Sequence, residues 1–332
     1  MLTGLDWTQS ALLMLCGVLL DLLLGEPRRF HPLVGFGKLA SAIERLLNRV
    51  SPSHARSAVA VRTGAADIAR GALGWSLAVL PLAAVAAMCI ALASATTTAA
   101  AWVLHALLLY FAIGLRSLRD HNLPIAESLN AGDLPTARKL TSYIVSRDTR
   151  NATPEDLAKA STESLLENGN DAVFGALFWF AIAGGPGALL FRLANTLDAM
   201  WGYRNLRYNH FGRFAARIDD ALNFIPARMT AFSYAMLAPS CAGKRRALQC
   251  WREQAPAWSS PNAGPVMSAG AGALGLALGG PAVYDGETEQ RPPLGAGAPA
   301  AKQDIVRAWR LVHATCWLWL VSALVIAGAE YA

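Results

Sequence analysis

Leu73–Ala95 reads LGWSLAVLPLAAVAAMCIALASA, 23 residues without a charge. A helix rises about 1.5 Å per residue, so about 20 apolar residues cross a hydrocarbon core roughly 30 Å thick. The stretch is long enough to span a bilayer, and it guides the reading of the rest. Three further runs resemble it. Trp7–Leu24 is 18 residues with one acid, Asp21; Ala99–Leu115 is 17 residues with His105; Leu311–Ala329 is 19 residues with His313. No Lys or Arg precedes Trp7 and no small-residue cleavage site follows Leu24, so a span is expected there, not a signal peptide.

Composition agrees. Of 332 residues, 54% are hydrophobic and 16% charged, against roughly 25% charged in a soluble domain. This argues against a soluble globule and excludes disorder, collagen-like repeats and a small disulfide scaffold. The five cysteines form no CxxC pair, and His and Cys never fall at metal-site spacing. Neither structural zinc nor a disulfide framework is expected. The net charge is +6, but the densest basic run is Lys244-Arg245-Arg246. Nucleic acid is not an expected partner.

The basic residues orient the spans. All 29 Lys and Arg lie between Arg28 and Arg310, and none lies inside the four runs. Segment 25–72 holds eight, 116–171 seven and 192–310 fourteen. The positive-inside bias puts these three segments in the cytoplasm and both termini outside. A fifth apolar run, Ala172–Phe191, is broken by Gly184-Gly185-Pro186-Gly187 and reads as a re-entrant or protein-buried hairpin. The expectation is a mostly α, polytopic integral membrane protein with about four transmembrane helices, that hairpin, and long cytoplasmic segments. Its expected divisions are 1–115, 116–310 and 311–332. Its expected location is a bacterial cytoplasmic membrane, with the bilayer as partner.

Local signals fill in the segments. Gly25-Glu26-Pro27-Arg28-Arg29-Phe30-His31-Pro32 reads as a turn, and Ile43–Val50 as a short amphipathic helix near the membrane surface. Thr153-Pro154-Glu155-Asp156 is a helix start, and the helix is expected to run to Asn168 and end at Gly169. Glu163 and Glu167 then share one face, which Asp171 extends if the turn continues. No segment alternates as a strand.

Each motif has a plain reading beside a functional one. Gly270-Ala271-Gly272-Ala273-Leu274-Gly275 matches GxGxxG, but no strand precedes it, so close packing of small residues is preferred to a dinucleotide site. No Walker-type phosphate loop is present. The acids Glu163, Glu167 and Asp171 form either a solvated helix face or a site for Mg²⁺ or an amine. Residues 195–228 hold Arg, Asp and Asn together. A lipid-headgroup belt is usually Lys and Arg alone, whereas this mixture suits phosphate held by Arg forks with a metal held by acids. Ser260-Pro261-Asn262-Ala263-Gly264 is a turn that presents N–H groups to an anion or simply turns the chain. Trp201, Trp251 and Trp258 read as core or interfacial rings.

These pieces together resemble one family. They include Leu20-Asp21-Leu22-Leu23-Leu24-Gly25-Glu26-Pro27, Arg147-Asp148-Thr149 and Glu163-Ser164-Leu165-Leu166-Glu167-Asn168. Asn195-Thr196-Leu197-Asp198, Gly202-Tyr203-Arg204-Asn205, Arg207-Tyr208 and Ala216-Arg217-Ile218-Asp219-Asp220 follow in order. Asn223-Phe224-Ile225-Pro226-Ala227-Arg228, the 260–264 turn, Leu278-Gly279-Gly280 and Tyr284 with Gly286 close the series. In order and spacing the chain resembles the CobD/CbiB cobalamin-biosynthesis family, the adenosylcobinamide-phosphate synthases, over nearly its whole length. Two departures stand out. The family's lysine after Gly-Tyr is Arg204 here, which keeps the charge without a titratable amine. The family's Trp-Pro-Glu-Ala after Pro-Asn-Ala-Gly is Pro265-Val266-Met267-Ser268, so no catalytic acid is expected in that loop.

The resemblance implies ATP-dependent amide formation, with adenosylcobyric acid joined to aminopropanol or its phosphate, plausibly through an acyl phosphate. ATP and Mg²⁺ are the implied cofactors. Arg204, Arg207, Arg217 and Arg228, with Asn205, Asn223 and Asn262, are the candidates for holding phosphate. Asp198, Asp219 and Asp220 are the metal candidates. Glu163, Glu167, Asp171, Asn195 and Asp198 are the catalytic candidates. Self-association, or a complex with other proteins of the pathway, is an expected partnership. The alternative is the related AmpE-like family, read as membrane sensors without ligase activity. The Asp219 and Asp220 pair among arginines favours the synthase.

Overall fold

The computed structural model describes residues 4–27, 32–50, 64–284 and 286–330. Residues 28–31 of the expected first turn lie outside these. The chain is mostly helical. Five stretches are long and apolar enough to cross a membrane: Trp7–Leu24, Gly64–Thr96, Thr98–Asn130, Pro154–Trp201 and Lys302–Ala329. They contain the four expected spans and the fifth run. Large apolar side chains such as Leu12, Leu77, Met88 and Val325 point outward from them, exposed as lipid-facing residues are. The chain divides into two compact units, residues 1–113 with 176–222, and residues 114–175 with 223–332.

In the first unit α1 (Trp7–Leu24) begins at an Asp6/Gln9 capping box. The amphipathic helix α2 runs Pro32–Leu47, earlier and longer than the expected 43–50, because the buried stripe Phe36, Ala40, Glu44 repeats every four residues. Helix α3 (Gly64–Thr96) turns at Thr97, whose hydroxyl caps α4 (Thr98–Ala112). The second half of α8 (Gly175–Trp201) completes the core, with Leu193, Ala194, Leu197 and Trp201 meeting Phe36, Ala40, Trp75 and Ala78. The expected break in the fifth run is present. Ala183 (φ −134°, ψ 19°) and Gly184 (φ 59°, ψ −153°) leave helical geometry. The N–H of Gly185 donates to His105 Nδ1 of α4 at 2.9 Å, and the helix resumes with Pro186 in its first turn.

The second unit holds α5 (Leu115–Asn130), α6 (Leu134–Thr141), α7 (Pro154–Gly169), α10 (Cys241–Gln254), α11 (Ala263–Leu274) and α12 (Lys302–Ala329). Helix α9 (Arg213–Met236) enters it at residue 223. The Thr153/Asp156 capping box and Pro154 open α7 as expected. Helix α7 closes at Gly169, as expected, but the backbone there stays helical (φ −54°, ψ −45°). The chain continues through a π turn, Asn170–Phe174, into α8. Gly169 is there for close approach, since a Cβ would lie 2.5 Å from the Tyr234 hydroxyl and 3.1 Å from Val312.

A second correction concerns strands. The Gly- and Pro-rich segment after α11 forms β1 (Leu276–Tyr284) and β2 (Glu287–Gly295), paired antiparallel, with β3 (Ala298–Pro299) parallel to β1. A register shift lies between Gly279 and Pro281, and Gly279 and Gly280 both have positive φ. The bulge and its left-handed glycines erase the two-residue alternation that would mark a strand. The GxGxxG stretch is the end of α11, where Gly270 meets Leu166 and Gly272 meets the Ala247 backbone.

The tightest contact in the first unit is backbone to backbone: a Cβ on Gly71 would fall 1.9 Å from the Phe211 carbonyl oxygen. Overpacking of this kind costs roughly 1–3 kcal/mol. Gly71→Ala is therefore expected to lower the melting temperature of detergent-purified protein; an unchanged melting curve would mean that α3 and the 211 turn do not touch.

Candidate functional site

The second unit contains a cavity of about 390 Å³. Its lining includes Arg147, Glu163, Glu167, Asn168, Trp258, Tyr284, Glu289 and Arg291. Glu163 is almost fully buried and heavily engaged. Arg147 of the loop before α7 binds it, and Arg291 of β2 makes two bonds of 3.1 Å to its two oxygens. The Gly279 N–H, at the edge of the register shift, donates to Oε1 at 2.8 Å. Arg291 also donates to the Gly280 carbonyl at 3.1 Å, so the hairpin and the carboxylate fix each other. Glu167 lies one helical turn on and faces the same cavity, as their spacing predicts. Asp171 falls in the π turn, accepts from the Asn170 amide at 2.9 Å, and is absent from the lining. Two arginines and three glutamates line this cavity, so carboxyl groups outnumber guanidiniums.

The first unit contains a cavity of about 500 Å³, lined by Tyr203, Arg204, His210, Arg213, Arg217 and Asp220 among others. Three arginines and one aspartate line it, so here guanidiniums outnumber carboxyl groups. All three arginines are exposed. Burial pushes the Asp220 carboxyl above its usual range, against the lowering pull of Arg204. Asp198 lies against Gly202, at the cavity's edge; a Cβ on Gly202 would collide with its carboxylate. Asn195 donates to Asp219 at 3.3 Å. Among the described residues no three His, Cys, Asp or Glu side chains converge as a metal cluster. The expected trio Asp198, Asp219 and Asp220 is thus not a ready-made three-carboxylate cage.

The remaining candidates have other partners. Arg207 is bidentate to the buried Glu44 of α2, at 3.1 and 2.7 Å. Asn205 accepts from the N–H groups of Arg207 and Tyr208 and shapes that turn. In the second unit, Asn223 accepts from the Asn170 amide at 2.8 Å, and Thr230 donates to Asn170 at 3.0 Å. Arg228 stacks over Phe224 and donates to Asn262 Oδ1 and the Pro261 carbonyl, pinning the 260–264 turn. Ser260 Oγ already accepts from the N–H groups of Asn262 and Ala263 there. Sequence reasoning assigned no role to Arg147, Arg213 or Arg291. Arg147 stood in a quoted motif; Arg291 carried no local signal, because its partner is 128 residues away.

The two glutamates of α7 should separate on substitution. Glu163→Ala leaves Arg147 and Arg291 without their shared partner, a loss of roughly 3–5 kcal/mol for a broken buried pair. It should expose the 276–295 hairpin to proteolysis. Glu167→Gln should leave that hairpin resistant. Equal resistance in the two variants would remove Glu163 from its structural role.

Comparison with known proteins follows the same residues. The family described as CobD/Cbib protein matches residues 14–312. The cobalamin biosynthesis protein CobD of Stutzerimonas stutzeri is 51% identical over 315 residues, 95% of this chain and 97% of that protein. The protein of the same name from Chromobacterium violaceum is 49% identical over 97% of this chain and 99% of its own length. That of Mycobacterium tuberculosis strain H37Rv is 38% identical over 91% of each. No solved structure matches. A match of this extent shows that the chain belongs to the CobD/CbiB family.

Proposed function

We propose that the protein acts in cobalamin biosynthesis by making an amide bond, joining a carboxylate of adenosylcobyric acid to aminopropanol or aminopropanol phosphate with ATP as the energy source. The observation that carries this reading is the three-arginine cavity of the first unit. A carboxylate is a poor acyl donor until its oxygen is converted into a leaving group, and phosphorylation by ATP does that. The protein must then bind a polyanion and offset charge developing on the transferred phosphoryl group. Arg204, Arg213 and Arg217 supply exposed guanidiniums for that task. The cavity of the second unit supports the other half. Its excess of carboxyl groups, with Glu167 as the candidate, suits an ammonium group, which must lose a proton before its nitrogen attacks an acyl carbon.

Magnesium fits by donor chemistry. Asp198, Asp219 and Asp220 offer only oxygen, which Mg²⁺ prefers, and one or two carboxylates suffice when phosphate and water complete the shell. The ion would offset phosphate charge when bound. The distribution of Lys and Arg supports a reaction on the inner side of a bacterial cytoplasmic membrane, the side proposed for 25–72, 116–171 and 192–310.

The test is ligation by detergent-purified protein given adenosylcobyric acid, Mg-ATP and either amine. The expected result is a corrinoid mass gain of one amide, matched by ADP release. Arg204→Ala, Arg217→Ala and Asp220→Asn should each lower turnover by at least about tenfold, the scale of one lost charge-assisted contact, with melting unchanged. Wild-type turnover in all three would remove this cavity from the reaction. ATP-independent product would overturn the energy source.

A further inference from the structure

Helix α2 has two faces with different duties. Phe36, Ala40 and Glu44 are buried, with exposures of 5, 0 and 3%. The opposite face carries Val34, Lys38, Leu39, Arg45 and Leu46, all exposed, and Arg49 continues it just past the helix. Lys38 and Arg45 are seven apart, as are Leu39 and Leu46, so each pair forms a stripe over two turns and the stripes lie side by side. Leu46 is 84% exposed and Val34 60%, values that are costly for water-facing residues of this size. Glu44, the one acid in residues 32–50, is turned inward onto Arg207. The outward cations therefore have no carboxylate among their neighbours on α2.

The place of α2 in the first unit gives this face its surroundings. A Cβ on Gly74 of α3 would lie 3.4 Å from Leu47 and 3.5 Å from Ile43, and one on Gly37 would lie 3.9 Å from Met200 of α8. The helix thus lies across α3 and α8, with one half on each. Its contact with α3 comes where the charge-free run begins: Arg70 is the last cation before Leu73, and from there Leu73, Leu77 and Leu80 are exposed. That is the depth at which lipid headgroups meet acyl chains. A crossing amphipathic helix at that level presents Leu to the acyl boundary and Lys and Arg to the headgroups.

We propose that the exposed face of α2 is a binding surface for anionic phospholipid. Lys38, Arg45 and Arg49 engage headgroup phosphates while Leu39 and Leu46 enter the acyl boundary. Three cations unopposed on one face favour an anionic lipid over a zwitterionic one. None of its residues lines either cavity, and it does not rest on the ligase reading.

The test uses the full chain in nanodiscs of phosphatidylcholine alone or mixed with phosphatidylglycerol. Amide hydrogen exchange over residues 32–47 and the count of retained lipid by native mass spectrometry are both read. Phosphatidylglycerol should slow exchange over α2 and be retained in preference, and high salt should reverse both. Lys38→Glu with Arg45→Glu should abolish both effects. The milder Lys38→Gln with Arg45→Gln should weaken retention by roughly fivefold per cation. Melting of each variant provides the folding control, and the milder pair decides should the reversal pair unfold. Equal exchange in the two discs would overturn the proposal. So would retention that survives the milder substitutions, or equal slowing by inorganic phosphate with phosphatidylcholine alone.

Discussion

Backbone N–H and C=O groups inside a bilayer have no water to bond, so each must be satisfied within the protein. The described membrane segments follow from this constraint. Charge-free runs become helices because a helix pairs its own backbone. Where the fifth run breaks at Ala183 and Gly184, the N–H released at Gly185 is taken up by His105 of α4. An imidazole inside an apolar helix is costly by itself. Here it supplies an acceptor at a point where the broken helix has an unpaired donor. The histidine and the glycine-proline break, which look like separate irregularities in the sequence, are one interaction.

The same logic governs charge. Glu44 and Glu163 are the most deeply buried glutamates, and each gathers guanidiniums: Arg207 on the first, Arg147 and Arg291 on the second. A buried carboxylate left alone would give up its charge. The arginines so engaged hold elements together, α2 to the 205–208 turn and the hairpin to α7. Arg204, Arg213 and Arg217, which share their cavity with Asp220, stay exposed around it. Within one dense basic cluster, Arg207 is thus committed to a buried acid while Arg204, Arg213 and Arg217 stay exposed.

That sorting explains what was legible in the sequence. The spans, the Thr153 capping box and the shared face of Glu163 and Glu167 depend on residues within one or two turns, and pattern alone reveals them. The sheet is hidden because Gly279, Gly280 and the prolines of β2 override the alternation on which strand reading depends. Gly169 marks the helix end, but its close approach to Tyr234, a residue of another helix, leaves no local pattern. Arg207 and Arg204 look alike in sequence, and only the fold brings Glu44, 163 residues away, to one of them.

Glu163 and Glu167 show how that distant information bears on chemistry. They are identical residues one turn apart on one helix, yet the hairpin delivers Arg291 and the Gly279 N–H to the first alone. Glu163 is matched by two guanidiniums, while Glu167 and Glu289 share the lining with Tyr284 and with Trp258, whose ring Arg291 faces at 5.6 Å. Gly279, where the register shift begins, gives its N–H to that carboxylate of Glu163. A two-stranded hairpin therefore helps set the electrostatic character of a cavity built on a helix more than a hundred residues earlier.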